Sequence, residues 1–382
     1  MVDFALTEEQ TSLRDMARKF AKGEMAPHAA ECDRAGRFPE EIYRKAWELG
    51  LMNLNVPTEY GGSGLALFEQ CLIVEELSHA CAGMTTSIIA NCLALEPILL
   101  GGTEEQKRRI LSPFCAEYHL ASFCLTEPSG GSDAGSLKTR ARRDGDSYVL
   151  DGEKCFITNA PFASLYTVFA TLDPSLRHKG IVAFAVPRET EGVQPGKEEE
   201  KMGHRASATS TVRFEGARVP SANRLGAETD GFSIAMRTLD QTRTPIGALA
   251  TGIAQAALDH AAEYSKHRQT FGKPISEHQA IQIKLADMAQ ALHAARLLTW
   301  QAAWTIDRGE RGSLESSIAK CFASDAAMRV ADEAIQVFGG YGYMKEYPVE
   351  KLLRDAKLAQ IYEGSNEIQR IVIARQLLER YA

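Results

Sequence analysis

Tyr148-Val149-Leu150-Asp151-Gly152-Glu153-Lys154 reads as a strand followed by a turn. Tyr, Val and Leu suit a pleated, half-buried surface, and Asp-Gly interrupts the run. More short β-rich runs follow at 165–171, 181–186 and 211–214, punctuated by Gly and Pro. Together they predict a small all-β domain over 120–224.

Outward from that block, the period on both sides is helical. Before it, Thr7-Glu8-Glu9-Gln10 is a capping box, with Leu13, Met16, Ala17 and Phe20 following at helical spacing. Further helices are predicted at 69–79 and 103–110. Thr103 is the N-cap of the latter, and Glu104 and Glu105 favour its positive end. After the block, long apolar-periodic segments run over 246–268, 277–308, 314–338 and 349–361, and 366–381 closes the chain. Such lengths joined by short Gly-containing loops suggest an antiparallel bundle. The predicted class is α+β, divided 1–119, 120–224 and 225–382. A Rossmann fold would alternate strand and helix instead.

The composition excludes several functions. The 382 residues hold 43 Lys plus Arg against 50 Asp plus Glu, a formal net charge of -7. Nucleic-acid binding would need a concentrated basic face. No run approaches the roughly 18 consecutive apolar residues of a membrane helix. The first residues, Met1 to Gln10, carry no basic or apolar leader, so the expected location is cytoplasmic. Eight Cys are scattered without CxxC or zinc spacing, which predicts reduced thiols and no metal.

Three glycine runs, at 61–64, 130–132 and 339–342, are turns by local chemistry; none is GxGxxG between a strand and a helix. Other segments carry more. The run 123–133 mixes apolar residues and hydroxyls with a flexible loop, which can lay amides and hydroxyls against a polar heterocycle. Phe156-Ile157-Thr158-Asn159 supplies an aromatic face beside a donor. Arg268-Gln269-Thr270-Phe271-Gly272-Lys273 lies between two long helices, where a guanidinium suits a pyrophosphate. Gln336-Val337-Phe338-Gly339-Gly340 ends a helix at a glycine. Ile361-Tyr362-Glu363-Gly364-Ser365-Asn366 places a carboxylate between two helices, with Ser365 or Asn366 capping the second. Taken singly, each has a bland reading: a Glu before Gly is a solvated residue, and Arg268 among Lys266, His267 and Lys273 is a charge run. His178 and His204 have no partner pattern and read as structural or exposed.

Five such motifs in this order, over essentially the whole chain, resemble the acyl-CoA dehydrogenase family, most closely its straight-chain, medium-chain branch. The resemblance implies a middle β-barrel-like domain between an N-terminal helical domain and a C-terminal four-helix bundle, and a homotetramer binding FAD. By position, Phe123, Leu125, Thr126, Gly131 and Ser132 would border the flavin, and Phe156, Ile157 and Thr158 would cover one face. Arg268, Gln269 and Thr270 would meet the pyrophosphate of FAD held mainly by a neighbouring subunit. His278, Gln279, Gln336, Gly339, Gly340, Ser365 and Glu367 match further cofactor contacts. Asp240, Thr242 and Arg243 match the acyl-CoA-contacting stretch, with Ser132, Tyr362 and Gly364 beside the substrate. Glu363 matches the catalytic base. Abstracting an α-proton from a thioester needs a positioned carboxylate and donors for the enolate oxygen. The resemblance also implies an electron-transferring flavoprotein as partner.

The acyl tail is expected along one helical face carrying Thr86, Ile89, Ala90 and Leu93. Ile89 and Ala90 stand where the medium-chain pattern has Glu and Gly, which predicts short to medium straight chains. Phe156 replaces a common Trp, and Glu367 replaces Gln. Thr242 stands where another branch carries its catalytic carboxylate, which leaves Glu363 as the base. Two alternatives have different chemistry: an oxygen-reducing acyl-CoA oxidase, and a non-catalytic CoA-binding scaffold of the same fold.

Overall fold

A computed structural model describes residues 4–381. Met1 to Asp3, part of the leader reading, lie outside the described residues.

Five helices come first: α1 (Glu8–Phe20), α2 (Ala26–Ala35), α3 (Glu40–Glu48), α4 (Leu67–Gly101) and α5 (Glu104–Ala116). The capping box at Thr7 is reciprocal: the Gln10 N–H donates to Thr7 Oγ1 at 3.1 Å, and the Thr7 N–H donates to Gln10 Oε1 at 3.1 Å. Thr103 and Gln106 form a second box at the start of α5. α4 is two helices across a kink at Cys81, whose φ of -162 and ψ of 104 are extended. By length and composition α4 is apolar enough to cross a membrane, with a mean hydropathy of 1.4 over its best window, but 72% of that window is buried inside the protein. It is a core helix whose apolar residues are interrupted by Glu75, Glu76, His79, Asn91 and Glu96, so it holds no continuous apolar run of the expected membrane length.

Eight strands follow: β1 (Ala121–Cys124), β2 (Arg140–Asp144), β3 (Ser147–Thr158), β4 (Leu165–Thr171), β5 (Ile181–Pro187), β6 (Val193–Pro195), β7 (Thr209–Pro220) and β8 (Arg224–Leu225). They form one mixed sheet in the order β6-β7-β3-β2-β4-β5-β8, with β1 parallel to β4. The long β3–β7 pair runs from Ser147↔Pro220 to Thr158↔Thr209, with register shifts at Leu150/Gly152 and Lys154/Ile157. Lys154 is fully buried on β3 and pairs with Glu127 at 2.7 Å. Glu127 also accepts from the Lys138 and Thr139 amides. This pins the loop after β1 onto the sheet.

The last region holds α6 (Gly231–His267), a hairpin of β9 (Gln269–Thr270) and β10 (Lys273–Pro274), then α7 (Gln279–Asp307), α8 (Ser313–Phe338), α9 (Val349–Ala359) and α10 (Asn366–Glu379). α6 begins at Gly231 rather than 246. Pro245 lies inside it, tolerated because Ile234, Ala235 and Thr238 bury one face of the preceding turns. α6 and α8 pack against each other, and Ala250, Ala254 and Ala257 of α6 share one buried core with Ala323, Ala327 and Ala331 of α8. A Cβ on Gly252 would stand 2.4 Å from the Glu75 carbonyl oxygen, so glycine alone allows α6 this close to α4. All eight cysteines are free thiols. No metal-binding cluster occurs among the described residues.

Candidate active site

A cavity of about 300 Å³ opens where α4, α6, the loop before α4 and the loop between α9 and α10 meet. Thr86, Ile89, Ala90 and Leu93 of α4 line one wall, as their spacing requires. Thr158 at the end of β3, Thr242 of α6, and Tyr362 and Glu363 of the α9–α10 loop are also in its lining.

Glu363 takes a left-handed backbone, φ +54. Few non-glycine residues do so, and those that do cluster at functional sites. Gly364 follows at φ +88, and a Cβ there would stand 2.0 Å from Gln369 Nε2. The turn therefore requires glycine after the carboxylate. Burial raises the Glu363 carboxyl above its ordinary range; the Arg243 charge, the Thr242 hydrogen bond and the Lys320 charge oppose the rise. Thr242 Oγ1 lies 3.1 Å from Glu363 Oε2 and 3.1 Å from the Thr238 carbonyl. One hydroxyl hydrogen serves one acceptor well: the carboxylate draws it, and a protonated Glu363 would donate to Thr242 instead. The Glu363 N–H makes no hydrogen bond among the described residues.

Thr86 is held from behind. His204, buried, places Nδ1 at 2.8 Å from Thr86 Oγ1 and Nε2 at 2.9 Å from the Asp355 carbonyl. A carbonyl only accepts, so Nε2 carries the hydrogen and Nδ1 receives the Thr86 hydroxyl. This makes His204 a structural residue. The Tyr362 hydroxyl, buried in the same wall, meets no hydrogen-bond partner at bonding distance among the described residues.

Several expected contacts sit elsewhere. Asp240 does not line the cavity: its two carboxylate oxygens take Arg243 Nη1 at 2.8 Å and Ser313 Oγ at 2.6 Å. Arg243 is buried and directs Nε at the Glu363 carbonyl, 3.4 Å away. The pair braces the α9–α10 loop. Gly364 shapes that loop without lining the cavity, and Ser132 is exposed on the loop after β1. The cavity also holds residues that no local motif flagged. Glu96 is one turn beyond Leu93 on the same α4 stripe; it accepts from Asn55 Nδ2 at 2.8 Å, and burial raises its carboxyl. Asn55 Oδ1 is buried without a partner among the described residues. The spacing of Glu96 from Leu93 was a readable signal, whereas its pairing with Asn55 was not.

The residues expected to hold FAD form two surfaces, with no hydrogen bond or ring contact between them among the described residues. On the first, Cys155 N–H donates to the Thr126 carbonyl at 3.0 Å and Ser122 Oγ to the Thr158 carbonyl at 2.7 Å. These bonds bring the stretch holding Phe123, Leu125, Thr126 and Gly131 beside Phe156, Ile157 and Thr158. Phe156 is 71% exposed at φ +59. On the second, Arg268 is exposed, makes no ion pair among the described residues, and stacks on Tyr341 at 5.4 Å. That ring follows Gly339 and Gly340, where a Cβ would meet nothing within 4 Å. Thr270 contacts His278 at 3.3 Å, and Gln279 and Gln336 are exposed nearby in sequence. Ser365 caps α10 beside the cavity loop, and Glu367 is exposed in its first turn. Exposed rings, open glycine backbone and an uncommitted guanidinium are what the ring system and pyrophosphate of FAD require, so the residues fit it.

Comparison with known proteins agrees with this architecture. Residues 7–117, 122–217 and 229–378 match the family models described as acyl-CoA dehydrogenase N-terminal, middle and C-terminal domains. A bovine (Bos taurus) relative, short-chain specific acyl-CoA dehydrogenase, mitochondrial, is 48% identical over 98% of this chain and 92% of its own. Its name specifies short chains, where the sequence resemblance pointed to the medium-chain branch. The butyryl-CoA dehydrogenase structure from Megasphaera elsdenii is 43% identical with a TM-score of 0.96, covering 99% of this chain and 100% of that one. A chain from a structure described as electron transferring flavoprotein of Acidaminococcus fermentans is 45% identical with a TM-score of 0.97, over 99% and 100%.

Proposed function

Because this chain belongs to the acyl-CoA dehydrogenase family, and is thus an FAD-dependent oxidoreductase of acyl-CoA thioesters, we propose that it desaturates short straight-chain acyl-CoA between the α and β carbons, with Glu363 as base and an electron-transferring flavoprotein as acceptor. The single observation that carries the reading is Glu363: a strained, desolvated carboxylate in the cavity wall with a neutral hydroxyl on it. Burial brings its proton affinity towards that of a working base. Its own N–H, free of partners among the described residues, is available to the thioester carbonyl as negative charge builds there. When bound, FAD supplies the acceptor for the hydride leaving the β-carbon. The first surface, around Thr158, would hold the flavin ring. Arg268 and the open backbone at Gly339 and Gly340 would hold the pyrophosphate, across a subunit boundary in a homotetramer.

Short chains are favoured by the cavity's size and by Ile89 and Ala90, whose side chains stand on its wall. Each methylene contributes only about 0.8 kcal/mol, so neighbouring lengths should be discriminated weakly. The butyryl-CoA dehydrogenase and the short-chain bovine enzyme among the relatives support this assignment, and the Acidaminococcus structure supports the acceptor. Anaerobic titration of the holoprotein with C4 to C16 acyl-CoAs, followed by aerobic turnover with an electron-transferring flavoprotein present, tests the proposal. Flavin bleaching strongest at C4 to C8, with electrons passed to an electron-transferring flavoprotein and little peroxide made, is the expected result. A long-chain optimum or stoichiometric peroxide would contradict it.

A further inference from the structure

The left-handed backbone of Glu363 must be held by its surroundings, since such strain persists only where neighbours over-determine it. Arg243 reaches the Glu363 carbonyl at 3.4 Å. The shorter contact comes from α8: Lys320 Nζ donates to the Gly364 carbonyl at 2.7 Å and to Asn366 Oδ1 at 3.0 Å. Asn366 in turn donates to Ser324 Oγ at 2.9 Å and Asp325 Oδ1 at 2.7 Å, and its N–H closes the loop onto the Gln360 carbonyl. The whole turn that bears the base is thus fastened to one face of α8.

Lys320 is unusual in its setting. It is 0% exposed and makes no ion pair within 4 Å among the described residues. A buried ammonium without a close counter-charge is costly, and such groups mark functional sites. Neutral glutamine would satisfy the same carbonyl without that cost. The titratable and charged groups facing Lys320 are Glu363 from the loop, Cys321 and Asp325 from α8, and Arg243 from α6. Burial draws the amine down to about 8, with Glu363 the largest influence holding it up. The reciprocal effect, after burial, Arg243 and the Thr242 bond, is that Lys320 favours the ionised Glu363.

We propose that Lys320 is a positioning residue for the reaction: its ammonium ties down the Gly364 carbonyl, so holding the strained turn of Glu363, and supplies positive charge beneath the base. The inference rests on Glu363 being the base. Three FAD-loaded variants separate charge from tether, read by flavin reduction with butyryl-CoA across pH. Lys320→Gln keeps a donor and removes the charge. It should retain FAD and a KM within about twofold of wild type, while the pH limb of the base moves up by roughly a unit. Lys320→Met should move the limb and also lower the plateau rate roughly tenfold or more. Lys320→Arg should restore the limb. An unmoved limb in Lys320→Gln, at whatever rate, overturns the proposal, as does a loss that is uniform at every pH. If Lys320→Met does not fold, the other two decide. Persistence of activity in Glu363→Gln would instead sink the base assignment itself.

Discussion

Thr242 Oγ1 and Glu363 Oε2 stand 3.1 Å apart across the cavity wall, one on α6 and the other on the α9–α10 loop. The hydroxyl stabilises the carboxylate without competing for the proton. Removing it by Thr242→Val keeps the volume and deletes the bond. The sign follows from the chemistry: the base works as the carboxylate, so the rate falls as pH drops through its proton affinity. Burial already raises that point above the ordinary carboxylate value, with Arg243, Thr242 and Lys320 opposing. Losing a hydrogen bond to a charged group, about 1.5–3 kcal/mol, should move the limb of flavin reduction higher by roughly one pH unit or more. Stopped-flow reduction across pH measures this, and an unmoved limb would show that Thr242 is mere packing.

Arg268 carries a different expectation. It is exposed, stacked on Tyr341 and free of ion pairs among the described residues. If it meets the cofactor's pyrophosphate across a subunit boundary, Arg268→Ala should weaken FAD binding by about 1.5–3 kcal/mol and loosen the oligomer with it. Flavin content after gel filtration, read with the elution volume, checks both together. Full flavin and an unchanged oligomer would refute the shared-cofactor role.

The parts of this protein that were legible in its sequence are those fixed by neighbours in the chain. Thr7 and Thr103 announce their helices because capping is settled within three residues. The α4 stripe of Thr86, Ile89, Ala90 and Leu93 follows from helical geometry alone. What stayed hidden depends on partners far apart in sequence. Glu96 gains its meaning from Asn55 on the loop before α4. Lys320 carries no local signal; its role comes from α8 meeting the loop of Gly364. Asp240 and Arg243 read as substrate contacts by position; their pairing with each other and the reach of Arg243 to the base's carbonyl appear only in three dimensions. The apolar period over 246–268 suggested that α6 starts late, yet the helix extends back through Pro245 to Gly231, where Ile234, Ala235 and Thr238 bury the turns before it.

The most direct measurement is flavin reduction by a short acyl-CoA in Glu363→Gln. The amide preserves shape and the hydrogen bond to Thr242 but cannot accept the α-proton. The protein should keep its fold and its FAD, bind the thioester, and lose flavin reduction by roughly 10² to 10⁴. A folded, flavin-loaded Glu363→Gln protein that still reduces its flavin at more than about a tenth of the wild-type rate, well short of that loss, would contradict the assignment of the base.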